Sequence, residues 1–322
     1  MAKLISIGEV LVDFIPLQKG SQLKDVIQFE RVAGGAPANV AACVSTLGGV
    51  SVVLSKLGQD AFGDYLVNTL DQAGVDTGNI IRTNEANTGL AFVSLDQDGN
   101  RDFSFYRNPS ADMLLRDDEL DPNLFEPGDI LHFCSVDLIE APVKYAHKKA
   151  IALALQQDML ISFDPNVRLP LWDDPSELKN TILEFIPHAH ILKISDEELE
   201  FITGETTILK ALPQLMIGNV KIIIYTKGSK GSELYTKQHS YSHDGYHVNT
   251  VDTTGSGDSF IGAFLWQLLD QSRTPHTMML TNFHEAIRFS NAVGALVATR
   301  KGGIPSMPSL RDVYQIMKTD TN

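Results

Sequence analysis

The 322-residue sequence is poor in cysteine and lacks any long apolar run. Its two cysteines, Cys43 and Cys134, lie far apart and without metal-ligand spacing, which excludes a disulfide framework and a thiolate metal site. Glu9 and Asp13 interrupt the apolar N-terminal stretch, so it reads neither as a signal peptide nor as a membrane span. We therefore expect a cytoplasmic protein with no membrane partner.

Basic residues are also scarce, because 26 Lys and Arg stand against 40 Asp and Glu, a net charge of −14. Such a balance repels a phosphate backbone, so nucleic acid is not an expected partner. A local basic pocket for a nucleotide remains compatible with it. The length and the 43% hydrophobic content allow one large α/β core with a small appendage.

Several common site motifs are missing. No stretch matches the phosphate-binding pattern G-x-x-x-x-G-K-[ST], and Phe260 stands where a dinucleotide fingerprint starting at Gly255 needs glycine or alanine. An NAD-dependent dehydrogenase is thus disfavoured. Residues 96–100 imitate a calcium loop, but Arg101 and Arg107 occupy the positions of its glycine and glutamate. We interpret 96–100 as a hairpin turn.

Short apolar runs alternate with helical spacing along most of the chain, which predicts a mostly parallel sheet covered by helices. Predicted strands include 4–8, 51–57, 130–133, 159–163, 191–194 and 220–225. Predicted helices include 36–47, 62–73, 142–157, 175–186, 196–203 and a short one in the tail. Two segments, at about 12–32 and 88–107, look like antiparallel strands instead. We expect them to form a small β-lid on a single domain spanning 1–322.

The stretch from Asp252 to Phe260, D-T-T-G-S-G-D-S-F, carries the strongest chemical signal. It opens a helix, and its two glycines expose backbone N–H groups at the helix N-terminus, which favours a bound anion. Phosphoryl transfer needs such a site, and Asp258 adds a proton acceptor beside it. The plainer alternative is that Asp258 only caps the helix.

This nonapeptide closely resembles the C-terminal signature of the ribokinase-like (PfkB) family of sugar kinases. Residues 34–41, G-G-A-P-A-N-V-A, resemble the N-terminal signature of the same family. The resemblance implies a three-layer α/β/α sandwich and ATP-dependent phosphorylation of a sugar. It assigns the anion hole to Gly255, Ser256 and Gly257 and the catalytic base to Asp258.

Residues 105–112 and 163–172 resemble the fructokinases of that family in particular. The resemblance therefore implies D-fructose as substrate, phosphorylated at its 6-hydroxyl. The implied sugar contacts are Asp13, Gly34, Gly35, Asn39, Arg107, Asn166, Arg168 and Asp258. An arginine also suits the carboxylate of 2-keto-3-deoxygluconate, so that sugar, an aminoimidazole riboside and a catalytically silent sugar-sensing regulator stay open.

The nucleotide and metal positions also follow from the resemblance. Contacts with ATP are implied for Lys193, Ser195, Thr226, Gly228, Gly231, Gly257 and Asn291. Glu198 would organise Mg²⁺ through water, although Ser195 replaces the family's asparagine. A K⁺ ion is implied at Asp252, Thr254, Val297, Arg300, Gly302 and Ser306. Exposed strand edges in the lid suggest a homodimer formed through it.

Overall fold

Two β-sheets of different size organise the chain in a computed structural model, which describes residues 2–18, 20–95 and 101–318. The strands of both sheets, in chain order, are β1 (Leu4–Ile7), β2 (Leu11–Pro16), β3 (Phe29–Gly34), β4 (Ser51–Gly58), β5 (Ile80–Thr83), β6 (Leu90–Leu95), β7 (Arg101–Tyr106), β8 (Ile130–Cys134), β9 (Leu160–Asp164), β10 (Ile191–Ser195), β11 (Ile222–Thr226), β12 (Ser232–Tyr235) and β13 (Ser240–His243). The larger sheet has the order β13-β12-β11-β10-β9-β8-β1-β4-β5.

The larger sheet is parallel from β5 to β11, and β12 and β13 extend it as antiparallel strands. In the centre, Leu4 of β1 lies opposite Ser51 of β4 and Ile130 of β8. Alternate residues of each central strand enter different hydrophobic clusters, as Leu4 and Ile5 do. The short, continuous apolar runs of the sequence therefore reflect strands that are buried on both faces.

Helices cover both faces of this sheet. Their bounds are α1 (Ala36–Thr46), α2 (Ala61–Gln72), α3 (Pro142–Gln156), α4 (Pro175–Phe185), α5 (Asp196–Thr203), α6 (Ile208–Leu215), α7 (Ser256–Asp270), α8 (Phe283–Ala298) and α9 (Leu310–Met317). Helices α3 to α6 pack on one face, and α1, α7 and α8 pack on the other. The predicted α/β/α sandwich is confirmed. Across the described ranges, no helix is long and apolar enough to cross a membrane.

The smaller sheet is the predicted lid, with the strand order β3-β2-β6-β7. Both hairpins, β2–β3 and β6–β7, are antiparallel as expected. The hairpins themselves join through a parallel pair, in which Val12 lies opposite Leu90, and the sequence did not predict this. Phe14 stacks on Phe92 with ring centroids 4.8 Å apart, which holds the hairpins together. The turn predicted at 96–100 lies outside the described residues.

Candidate active site

Most predicted site residues lie just past the carboxyl ends of the parallel strands. Asn166 and Arg168 follow β9, Lys193 and Ser195 end β10, and Thr226 ends β11. Because these strands are neighbours, their C-terminal segments line one edge of the sheet. Open α/β sheets bind ligands at this edge, so the fold itself collects the side chains.

Asp258 lies in the first turn of α7 and is held by two asparagine side chains. Its Oδ2 accepts a hydrogen bond from Asn39 Nδ2 at 2.8 Å, and its Oδ1 accepts one from Asn166 Nδ2 at 3.1 Å. Burial raises the pKa of Asp258, and the Asn39 hydrogen bond and the charges of Lys193 and Arg168 offset this only in part. The result is an oriented carboxylate with a raised proton affinity, as a general base requires.

The turn before Asp258 forms an anion-binding site. Gly255 has φ of +77°, a conformation that glycine adopts without strain, and it places the start of α7 beside Gly303. The first-turn N–H groups of Gly257 and Asp258 have no acceptor within the helix. Lys193 Nζ lies 3.4 Å from the place that a Cβ on Gly257 would take. A lysine ammonium and a helix N-terminus therefore face the same small volume.

Asp164 positions that lysine, and the sequence analysis had not singled it out. The Nζ of Lys193 lies 2.7 Å from Asp164 Oδ2, and both side chains are buried. A buried ammonium needs such a partner to remain charged. Asp164 is the last residue of β9, directly before Pro165. An acidic residue ending a buried apolar strand was the signal available in the sequence.

On the predicted sugar side, the lid and α1 meet α7. Asp13 lies on β2, and its Oδ2 would be only 2.1 Å from a Cβ on Gly34, so the carboxylate lies against bare backbone. Gly35 has φ of +106° and precedes α1, which carries Asn39 one turn later. The structure thus brings Asp13 to Gly34 and Asn39 to Asp258, as the resemblance implied.

The two predicted arginine contacts differ in their surroundings. Arg168 is half-buried, its Nη1 donates to the Val167 carbonyl at 3.0 Å, and its charge lowers the pKa of Asp258. Arg107 is buried, and its Nη2 forms ion pairs with Asp112 and Asp137. These ion pairs do not join Arg107 to Asp258 or to either of its asparagine partners. In the described part of the chain, Arg107 Nε and Nη1 have no hydrogen-bond partner.

The predicted nucleotide loop connects β11 to β12. Gly228 and Gly231 have φ of +55° and +83°, and a side chain on Gly231 would meet the backbone of β13. Asn291 on α8 lies beside this loop, because its Nδ2 donates to Ser232 Oγ at 2.9 Å. The loop, with Thr226 at its start, and Asn291 therefore lie close together, two strands away from β9.

Glu198 is suited to a hard cation. Its Oε1 accepts the Val167 N–H at 2.7 Å and its Oε2 accepts the Ser195 N–H at 2.9 Å. Burial raises the pKa of Glu198, but Lys193 and these N–H groups outweigh burial, and the pKa lies below its ordinary value. An ionised carboxylate at this position fits a water-bound magnesium ion. Ser195, which replaces the expected asparagine, is the N-cap residue of α5.

The predicted potassium residues lie in two adjoining turns. Asp252 Oδ1 accepts hydrogen bonds from the N–H and hydroxyl of Thr254, and its Oδ2 accepts one from the N–H of Gly302. The other three predicted residues are in or next to the second turn: Val297, Arg300 and Ser306. Within the described ranges, no group of three His, Cys, Asp or Glu could hold a metal. A cation here would depend on backbone and hydroxyl oxygens, which suit a hard monovalent ion.

Comparison with known proteins gives the same picture. The description "pfkB family carbohydrate kinase" matches residues 1–310. The chain belongs to the pfkB family of carbohydrate kinases. Fructokinase-2 of Solanum lycopersicum is 42% identical over 316 residues, covering 98% of this chain and 96% of that protein.

Two solved structures of pfkB-type fructokinases share the whole fold. The Xylella fastidiosa fructokinase with bound ATP has a TM-score of 0.90 and 31% identity, covering 99% of both chains. The Vibrio cholerae fructokinase bound to fructose, ADP and calcium has a TM-score of 0.89 and 31% identity, covering 98% of this chain and 99% of that one. This pfkB chain is therefore a sugar kinase that transfers phosphate to a hydroxyl group.

Proposed function

We propose that this protein is an ATP-dependent fructokinase that phosphorylates the 6-hydroxyl of D-fructose. The observation that carries the proposal is the Asp258 carboxylate, fixed by Asn39 and Asn166 beside the N-terminus of α7. The 42% identity to a fructokinase over nearly the whole chain supports the choice of sugar. The proposed sugar contacts are Asp13, Gly34, Gly35, Asn39, Arg107, Asn166 and Arg168.

In the proposed reaction, Asp258 accepts the proton of the 6-hydroxyl as the hydroxyl oxygen attacks the γ-phosphorus of ATP. The bond between that phosphorus and the β,γ-bridging oxygen breaks, and ADP leaves with the electron pair. The N–H groups of Gly257 and Asp258 and the ammonium of Lys193 would bind the oxygens of the transferred group. Phosphoryl transfer depends mainly on this positioning and charge stabilisation.

Two cations belong to the proposal. Magnesium neutralises charge on the nucleotide when bound, and the ionised Glu198 would hold it through water. Potassium would bind at the Asp252 and Gly302 turns and order the adjoining anion hole. On the nucleotide itself, the proposed contacts are Lys193, Ser195, Thr226, Gly228, Gly231, Gly257 and Asn291.

The lid gives the proposal its architecture. We treat residues 1–322 as one kinase domain in which the lid strands are insertions that cover the sugar and exclude water. Leu17, Ile27 and Tyr106 of the lid are 55%, 82% and 64% exposed. Exposed apolar side chains beside sheet edges suit an interface with a second copy, so we propose a homodimer through the lids. Light scattering in solution tests the dimer.

A coupled assay of ADP formation tests the function. Values of kcat/KM would be measured for fructose, 2-keto-3-deoxygluconate, an aminoimidazole riboside, ribose and glucose. We expect fructose to be preferred, because the acidic sugar would lose hydration beside Asp13 and Asp258. Preference for another sugar would leave only the kinase assignment, and sugar binding without ADP formation would favour a silent regulator. EDTA should abolish turnover, and Na⁺ should support less turnover than K⁺.

A further inference from the structure

A buried carboxylate that the proposed mechanism does not use lies behind the sugar-binding turn. Glu9 follows β1 and is only 3% exposed. Its Oε1 accepts the backbone N–H of Ala36 at 2.9 Å. Ala36 is the first residue of α1, and its N–H has no acceptor within that helix. Glu9 therefore supplies the acceptor that the start of α1 lacks.

The backbone of Glu9 contacts the same turn from below. A Cβ on Gly35 would lie 2.3 Å from the Glu9 carbonyl oxygen and 3.1 Å from Val10 Cα. Glycine at this position, with φ of +106°, is thus required by the close approach of the β1–β2 connection. One residue consequently fixes the turn through both its side chain and its main chain.

This contact continues to the catalytic base through a rigid element. Helix α1 begins at Ala36, and Asn39 is one turn further along the helix. Asn39 then donates to Asp258 Oδ2 at 2.8 Å. A tilt at the first turn of α1 would move Gly35, the proposed sugar contact, and Asn39, the partner of the base, at the same time.

The environment of Glu9 indicates what the side chain must provide. Arg107, Asp112 and Asp137 form a buried group beside it, so three carboxylates share one guanidinium. Burial and the charge of Asp137 raise the pKa of Glu9 to about 8. A neutral glutamate still accepts a hydrogen bond through its carbonyl oxygen. A glutamine should therefore replace it, whereas a side chain without an acceptor should not.

We propose that Glu9 is a positioning residue for the sugar half of the site, acting through the Ala36 N–H on Gly35 and Asn39. The inference deepens the proposed function and rests on it where sugar kinetics are concerned. Its structural part, the hydrogen bond that orders the first turn of α1, does not depend on which sugar is used.

The test compares Glu9→Gln with Glu9→Ala. Glu9→Ala should raise the sugar KM about ten-fold and lower kcat, and leave the ATP KM within about two-fold, since a buried N–H loses its acceptor. Glu9→Gln should restore wild-type values. Asp129→Ala is the matched control, because Asp129 is 1% exposed and its Oδ1 accepts the Lys3 N–H at 2.9 Å before β8, at the opposite edge of the sheet. It should lower stability without changing the sugar KM.

Hydrogen exchange without substrates gives a second readout. The amides of residues 34–40 should exchange faster in Glu9→Ala than in wild type or Glu9→Gln. If Glu9→Ala does not fold, Glu9→Asp, which is one methylene shorter, takes its place with the same expectation. Unchanged exchange and sugar KM in a folded Glu9→Ala would overturn the inference, as would equal damage in Glu9→Gln. Faster exchange in a protein that turns over no sugar would instead reject the proposed function and support the positioning role.

Discussion

The two halves of the site around Asp258 are built in different ways. On the sugar side, Asp258 is bonded to Asn39 and Asn166, which are 219 and 92 residues away in the sequence, and all three are buried. On the nucleotide side, the predicted contacts follow one another in the turn from Thr226 to Gly231, most of which is half-buried or exposed. The sugar half is a product of tertiary packing, whereas the nucleotide half is a local backbone conformation.

This difference indicates where each kind of change should act. Side chains fixed by several distant elements are already in place before the substrate arrives, which lowers the entropy lost on reaching the transition state. Changes on the sugar side should therefore alter the base and the turnover. Changes in the nucleotide turn should alter ATP binding and leave the base intact.

The largest effect is expected for Asp258→Asn, which removes proton acceptance from the sugar half but preserves its shape. Turnover should fall by about 10²–10⁴-fold, the usual contribution of a general base. Binding of fructose, measured by calorimetry, should remain within a few-fold of wild type. Asp270→Asn, at the exposed end of the same helix, is the control and should have full activity. Near-normal turnover of a folded Asp258→Asn would reduce Asp258 to a helix-capping role.

The same contrast explains what the sequence predicted well. The central strands and most of the helices follow from local periodicity, because each strand is buried on both faces and each helix on one. The D-T-T-G-S-G-D stretch identified Asp258 and the anion hole from contiguous residues. The nucleotide turn was likewise visible as a run of glycines, although the same pattern suits any tight turn.

What the sequence could not predict depends on contacts between distant residues. The antiparallel extension by β12 and β13 was missed, since Ser232–Tyr235 and Ser240–His243 are short and the latter is largely polar. The ion pairs of Arg107 with Asp112 and Asp137, and the Glu9 contact with Ala36, require the fold itself. Periodicity gives no information on which buried charges meet.

The nucleotide half is tested by Gly231→Ala. Gly231 has φ of +83°, and a Cβ there would lie 2.0 Å from the His243 carbonyl oxygen, so the turn must shift. We expect the ATP KM to rise about ten-fold, equivalent to about 1.4 kcal/mol, with the sugar KM unchanged. Gly228→Ala is the matched control: its φ is also positive, but among the described residues no heavy atom lies within 4 Å of the added Cβ. A parallel rise in the sugar KM would show that the halves are not separate.

The smallest expected effect is a shift in pH dependence that isolates one bond of the sugar half. The Asn166 side chain donates to Asp258 and favours the ionised form, so its loss should raise the pKa of Asp258 further. Activity requires ionised Asp258 and falls as the pH drops through that pKa. Asn166→Gly should therefore move the acidic limb of kcat/KM to higher pH, by about 0.4–1 pH unit for a bond of about 0.5–1.5 kcal/mol.

Glycine is the suitable replacement because Asn166 has φ of +48°, which alanine would strain. Ser272, with φ of +51° at the far end of α7, provides the control, since Ser272→Gly makes the same kind of backbone change away from the base. Its pH profile should match that of wild type. If the limb of Asn166→Gly stayed in place or moved to lower pH, Asn166 would not stabilise the ionised base. The sugar half would then depend on Asn39 alone to hold Asp258.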